Sequence, residues 1–431
     1  MYRVVKRTGD IFGDEPHVCE FVCDTSDDVA TLPTSIAEGT GGKSKYDNQK
    51  CSAGSTAIIA TNSGSNSYIL NNSDEWIAQS SGCSGSGGSG GSSETETGLS
   101  ISPIGEDGMP YGDVTISEGI KSISSVSGAN YRKSCFFAND KVNTVKIPSS
   151  MERLGDYGFS YSSLTDVVID KNSNVTEIGT NCFYECNNLK SIYIPKKIAY
   201  IGGYAFYGND ALAEVTFNAD DLSMGDMVFS RCTNLGTINW GSGIIKLGKA
   251  TFSNCVKLTA LNIPNNVISL GDSYTFDSCI GITSVTFEEG TPITVIPPWC
   301  FNKCSSLIDA VIPSGITALG AAAFYNCYQM KHISLPNTLT ELNCSAGDTL
   351  NTFAACSALE IVDLEEDFKC SISLDSCTAI TNAAEMMTKL KDLTGETAKT
   401  ITFAKVVYDA LTVDERAVAR NKNWNVVSYG S

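Results

Sequence analysis

One phenylalanine returns down most of the chain, at Phe136, Phe159, Phe183, Phe206, Phe229, Phe252, Phe276, Phe301, Phe324 and Phe353. Most steps are 23 residues, with 24, 25 and a single 29 as exceptions. A fixed period of that size marks a solenoid, in which each unit covers the apolar face that its neighbour cannot bury alone. Ten units exceed the minimum of about three that such a stack needs.

Other columns keep the same register. A glycine stands four or five residues before the phenylalanine, at Gly155, Gly179, Gly202, Gly225, Gly248, Gly271 and Gly320. Two structural readings stay open for it: a turn needing positive φ, or a place with no room for a Cβ. Three residues after the phenylalanine comes a cysteine, at Cys186, Cys232, Cys255, Cys279, Cys304, Cys327 and Cys356. Asn139, Ser162 and Asn209 replace it in three units. That exchange fits a small buried side chain at a coil corner rather than a disulfide. Next comes an apolar trio, as in Leu189, Ile192 and Ile194 or Leu258, Leu261 and Ile263, followed by Pro195 or Pro264. The alternation predicts a short strand with one buried face, stopped by the proline. A second apolar pair, such as Ile198 and Ile201 or Val267 and Leu270, precedes the glycine and closes the coil.

With these columns, residues 114–375 resemble the BspA-type leucine-rich repeats, also called Treponema pallidum-like. Units 189–209, 258–279 and 307–327 match that pattern nearly position for position. The departures are Pro297 in the glycine column, a short unit at Leu164 and an insertion around 343–352, each expected to bulge a loop rather than break the stack. The resemblance implies a mainly β fold, a right-handed horseshoe with a parallel sheet on its concave face. Residues 101–377 are assigned to this solenoid.

The ends differ in composition. Residues 1–79 mix strand-like runs at 17–23, 56–60, 67–70 and 75–78 with turn formers, which predicts a small β domain. Residues 80–100 begin as SSGCSGSGGSGGSS, a linker with no core-forming side chains. Residues 378–431 lose the period and read as a small α/β cap. A helix over 382–390 with Asn382 as N-cap, a strand over 399–403 and a helix around 414–420 are expected.

The chemistry left open by the side chains is narrow. The 431 residues carry a formal net charge of -18, which disfavours nucleic-acid binding. No apolar run reaches the length of a membrane span or of a signal peptide, so neither membrane insertion nor an export leader is expected. Only His17 and His332 are present, and neither sits beside a recognisable nucleophile, so His332 reads as a lone surface histidine. The spaced pairs Cys19/Cys23, Cys182/Cys186 and Cys300/Cys304 lack third and fourth ligands. No catalytic residue, metal or cofactor is expected.

What remains is a surface. The outward residue of each predicted strand runs Lys146, Val168, Tyr193, Thr216, Asn239, Asn262, Thr286, Val311, Ser334 and Asp363. We take Lys190, Tyr193, Thr216, Asn239, Asn262, Thr286, His332 and Ser334 as the candidate ligand face. Its amides, hydroxyls and one aromatic suit a glycan or a polar protein surface. The alternative reading is that these are simply soluble residues of good β propensity. Segment 54–76 resembles short modules of tailed-phage structural proteins, with Gly54-Ser55 before an apolar run, Tyr68-Ile69-Leu70-Asn71 and then Trp76. That resemblance implies a non-enzymatic virion protein, of head or tail, assembled on other virion proteins through residues 1–79. Its solenoid would bind a host-surface or mucosal protein or glycan, and a homo-oligomer is compatible with this. The alternatives are a bacterial cell-surface adhesin or scaffold and, further off, a carbohydrate-active enzyme.

Overall fold

The computed structural model describes residues 101–104, 109–123, 136–342 and 351–430, together with five earlier strands. Those strands, Tyr2–Thr8, Val18–Cys23, Thr56–Thr61, Gly64–Leu70 and Trp76–Ala78, pair in chain order into one sheet. Four of them fall on the expected runs, and Tyr2–Thr8 was not foreseen. The glycine/serine linker and most of the insertion, at 343–350, lie outside the described residues.

From residue 101 the chain winds as a parallel-strand solenoid. A hairpin of Ile101–Ile104 and Pro110–Ile116 opens it, and the second of these strands pairs in parallel with Val142–Ile147. Each following coil contributes a strand to one wall, from Asp166–Ile169 through Ile361–Leu364. Hydrogen bonding along this wall is interrupted twice, after Asp166–Ile169 (the short unit) and after Thr237–Asn239.

The apolar pair that closes each coil also forms a wall. Seven short strands from Ser122–Ile123 to Val267–Ser269 make one parallel ladder, and Val295–Ile296, Ala318–Leu319 and Glu341–Leu342 make another. The break falls in the unit carrying Pro297. Prolines at the end of the long strands start the corner between the two walls. Their carbonyls accept from the third residue onward, as Pro195 from Ile198 at 3.2 Å and Pro264 from Val267 at 3.1 Å.

A third wall carries the phenylalanines, and its backbone is unusual. From Phe159 to Phe324 the residues two before and two after each phenylalanine of the column have positive φ although most are not glycine, for example Ala250 and Asn254 around Phe252. Alternating the hand of the backbone turns every second amide along the solenoid axis. Ala250, Phe252 and Asn254 donate to Ser273, Thr275 and Asp277 of the next coil at 2.8, 2.9 and 2.8 Å. The amides between them close turns within their own coil, as Ser253 to Ala250 at 3.1 Å. Each non-glycine residue held there costs on the order of 1–2 kcal/mol. No β-branched residue is among them, as steric crowding at positive φ requires. At Lys303, which has φ 57 and an exposed side chain, a glycine relieves that strain. Lys303→Gly is expected to raise stability by about 0.5–1 kcal/mol after its own entropy cost. Lys303→Val should lower it, as read from urea midpoints.

The glycine column is settled in favour of space. Gly179, Gly202, Gly225 and Gly248 do not have positive φ, but a Cβ on any of them would overlap the backbone of the previous coil. Gly271 has both features. Pro297 occupies the same corner and accepts from Cys300 at 3.3 Å, so the stack continues through it.

Inside, the ten phenylalanines form one continuous stack. Successive ring centroids are 4.9 to 6.0 Å apart, and from Phe159 to Phe301 the planes lie within 9° of parallel. Beside it runs a ladder of thiols. Cys232, Cys255, Cys279 and Cys304 each donate to the carbonyl of the phenylalanine of the preceding coil, at 3.1 to 3.3 Å. Cys377 extends the ladder towards Phe353 at 3.8 Å, with Leu374 in the phenylalanine place.

All eleven cysteines with described side chains are free and buried. Burial pushes up the thiols of Cys182, Cys232, Cys255, Cys279, Cys300, Cys304, Cys327 and Cys377, and that of Cys186 to about 12, where the hydrogen bond with Ser162 acts the other way. Thiolate is therefore scarce at neutral pH. A thiol reagent should label rapidly no more than the other six, at 19, 23, 51, 83, 135 and 344, until denaturant is added. Rapid native labelling of most of the seventeen would contradict the buried ladder.

The cap matches in part. The helix Ala383–Lys389, the strand Lys399–Ala404 and the helix Val413–Asn421 lie where expected, the last held by a Thr412–Glu415 capping box. The helix Lys405–Ala410 and the strand Trp424–Tyr429 were missed. Asn382 does not cap its helix by side chain. Instead its amide accepts from Val362 N at 3.2 Å and donates to Val362 O at 3.1 Å. It thus completes the edge of the last long strand, which has no further strand to pair with. Ile372–Leu374, Lys399–Ala404 and Trp424–Tyr429 form a closing parallel sheet.

Candidate functional site

The strand alternation puts the predicted residues on the solvent side of the long-strand wall. Ile192, Ile194, Leu261 and Ile263 point into the core, while Tyr193 and Asn262 between them are exposed. Parallel register then lines up the outward residues across coils. Tyr193, Thr216 and Asn239 are direct neighbours, as are Asn262 and Thr286, and Val311, Ser334 and Asp363. The wall's interruption between Asn239 and Asn262 separates the first group from the second. Lys190 lies just before its strand and is exposed, so it borders the row rather than belonging to it.

The side chains of this row are bonded to one another. The Asn239 amide donates to Thr216 Oγ1 at 3.0 Å and to Glu214 Oε1 at 2.6 Å. The Thr286 hydroxyl donates to Asn262 Oδ1 at 3.0 Å. Such bonds orient an amide without using all its capacity: Asn239 Oδ1 remains an acceptor and the second Glu214 oxygen another. The patch beside exposed Tyr193 therefore presents fixed polar groups next to an aromatic ring.

His332 is not the lone surface histidine that the sequence suggests. Strand register sets it between Asp309 and Ile361, and it is half-buried. Its Nδ1 bonds Asp309 Oδ1, and its Nε2 lies 2.9 Å from Asp363 Oδ2. Burial, the largest single influence, lowers its pKa, but hydrogen bonds to Asp309 and Asp363 and their negative charge together raise it above the usual histidine value. No group of three or more His, Cys, Asp or Glu among the described residues is arranged to hold a metal ion.

The repeat geometry agrees with comparison to known sequences. The profile of the BspA type leucine rich repeat region, in six copies, matches residues 113–236, 222–360 and 273–392. The chain belongs to the BspA-type leucine-rich repeat family. A solved leucine-rich repeat protein of Bacteroides ovatus shares the fold of this BspA-type chain, with TM-score 0.50 and 22% identity over 77% of this chain and 89% of that one. A leucine rich cell surface protein of Faecalibacterium prausnitzii aligns at TM-score 0.28 and 18% identity, over 71% of this chain and 94% of its own. Pneumococcal vaccine antigen PcpA aligns at TM-score 0.38 and 16% identity, over 88% and 100%. No curated protein matches the chain.

On this BspA-type solenoid, sequence reasoning took only His332 from the row beside the main predicted one. Glu214 and Asp309 begin their strands two residues before Thr216 and Val311, and so share the outward face. The signal was available, since alternation exposes both positions of each strand. What was hidden is that Asp309 stands directly opposite His332, because that depends on coil length. No helix among the described residues is long and apolar enough to cross a membrane.

Proposed function

We propose that the protein is a surface adhesin or scaffold, without chemistry of its own, that binds a glycan or polar protein surface through the long-strand wall. The patch of Tyr193, Thr216, Glu214 and Asn239 carries this reading. It pairs an exposed ring with pre-oriented hydrogen-bonding groups on a rigid sheet, which lowers the ordering cost of binding. Membership of the BspA-type family supports it, since the resemblance to those repeats implies adhesive proteins. The virion reading rests on segment 54–76 alone. That segment holds the strands Thr56–Thr61, Gly64–Leu70 and Trp76–Ala78, but its side chains lie outside the described residues.

The full chain should bind a mucin-glycan and cell-surface panel. Tyr193→Ala should weaken that binding about tenfold, the loss of one aromatic contact, with the unfolding midpoint unchanged. Binding that ignores Tyr193→Ala and Asn239→Ala alike would remove this face from consideration. Recovery of the chain in purified phage particles by mass spectrometry would favour the virion reading instead.

A further inference from the structure

Three consecutive parallel strands place an imidazole between two carboxylates. Asp309 lies on the strand before His332 and Asp363 on the strand after it. Nδ1 of the ring faces Asp309 Oδ1, and Nε2 faces Asp363 Oδ2 at 2.9 Å. A carboxylate only accepts, and a neutral imidazole has a single N–H. Both contacts are hydrogen bonds only when the ring carries a proton on each nitrogen.

We propose that Asp309, His332 and Asp363 form a pH-sensitive clamp that ties three strands of the long-strand wall together when the ring is an imidazolium and opens on one side when it loses a proton. The proton goes to solvent, and one carboxylate is left without its donor. The site then changes from one net negative charge to two, next to Ser334. The adjoining Lys331 holds its ammonium 3.5 Å from Glu360, which stands just before the far strand. Ser284, Val311, Ser334 and Ile361, the remaining neighbours in the two outward rows, do not titrate in this range.

The direction of the response follows. Because the histidine pKa is raised in the folded chain, the clamp's contribution is complete below the ordinary value of about 6.5. It is lost as pH rises through the raised value.

Two histidines in the chain make the test direct. The imidazole signals of the full-length protein are followed by NMR against pH, and His332→Asn identifies which belongs to His332. Its midpoint should lie above 6.5, and Asp309→Asn with Asp363→Asn should bring it to that value or below, since burial still acts. Amide exchange in His332–Leu335 and Ile361–Leu364, corrected for the intrinsic rate, should rise above the midpoint in the natural chain and not in the double variant. If the double variant loses its circular dichroism, Asp363→Asn alone must still lower the midpoint. A natural midpoint at or below 6.5, or a carboxamide variant that titrates like the natural chain, overturns the clamp.

Discussion

Phe252→Ala is expected to destabilise the solenoid by about 3–5 kcal/mol, the range for removing a fully buried aromatic. The ring stands mid-stack, 5.5 Å from Phe229 and 5.6 Å from Phe276 with planes 7° from parallel in both cases. Trp240 also meets it edge-on at 5.8 Å. Its removal leaves three aromatic partners facing a hole. The wall cannot collapse into it, because the backbone on either side is tied to the neighbouring coils by the amide ladder. Asn262→Ala, an outward change in the following strand, should cost no more than about 0.5 kcal/mol. Denaturant unfolding of the two variants compares them directly. Similar losses would mean that inward and outward positions are assigned wrongly.

Gly248→Ala should cost about 3 kcal/mol or more, large for one added methyl, because overpacking here meets main chain. A Cβ at Gly248 would lie 2.1 Å from the Gly225 carbonyl oxygen and 2.5 Å from its carbon. Neither atom can swing away, since each belongs to the stacked corner of the previous coil. Gly395 in the cap offers the contrast. It has φ +86 and open space around its Cβ position, so Gly395→Ala carries only the conformational cost of about 1–2 kcal/mol. Thermal or urea unfolding should rank the two in that order. An equal or reversed ranking would show that φ, rather than room, governs the column.

Much of the molecule was legible because its information is periodic. A column of phenylalanine at a constant step admits few folds, and alternation within each trio separates Ile192 from Tyr193 without any coordinates. The thiols were readable for the same reason: exchange with Asn139, Ser162 and Asn209 marks a small buried corner. The cap was less legible. Asn382 has the composition of a helix cap, yet the unpaired edge of the last strand competes for its amide and wins. No local pattern reports that competition, since Val362 is twenty residues away.

The amino-acid sequence by itself determined the solenoid, its register, its buried columns and the set of side chains presented to solvent, since each follows from a repeat that only neighbouring coils can satisfy. Tertiary structure alone decided which of those side chains meet. Coil lengths of 23 and 29 residues bring Asp309 abreast of His332 and Asp363 diagonally across from it, and the short unit and the step after Asn239 divide the long-strand wall into separate ladders. It also decided that the third wall alternates the hand of its backbone at residues as ordinary as Ala250 and Lys303. Propensity disfavours that conformation at any one of them. It persists because every second amide thereby reaches a carbonyl of the next coil, and the stacked phenylalanines hold the coils at the spacing those bonds require.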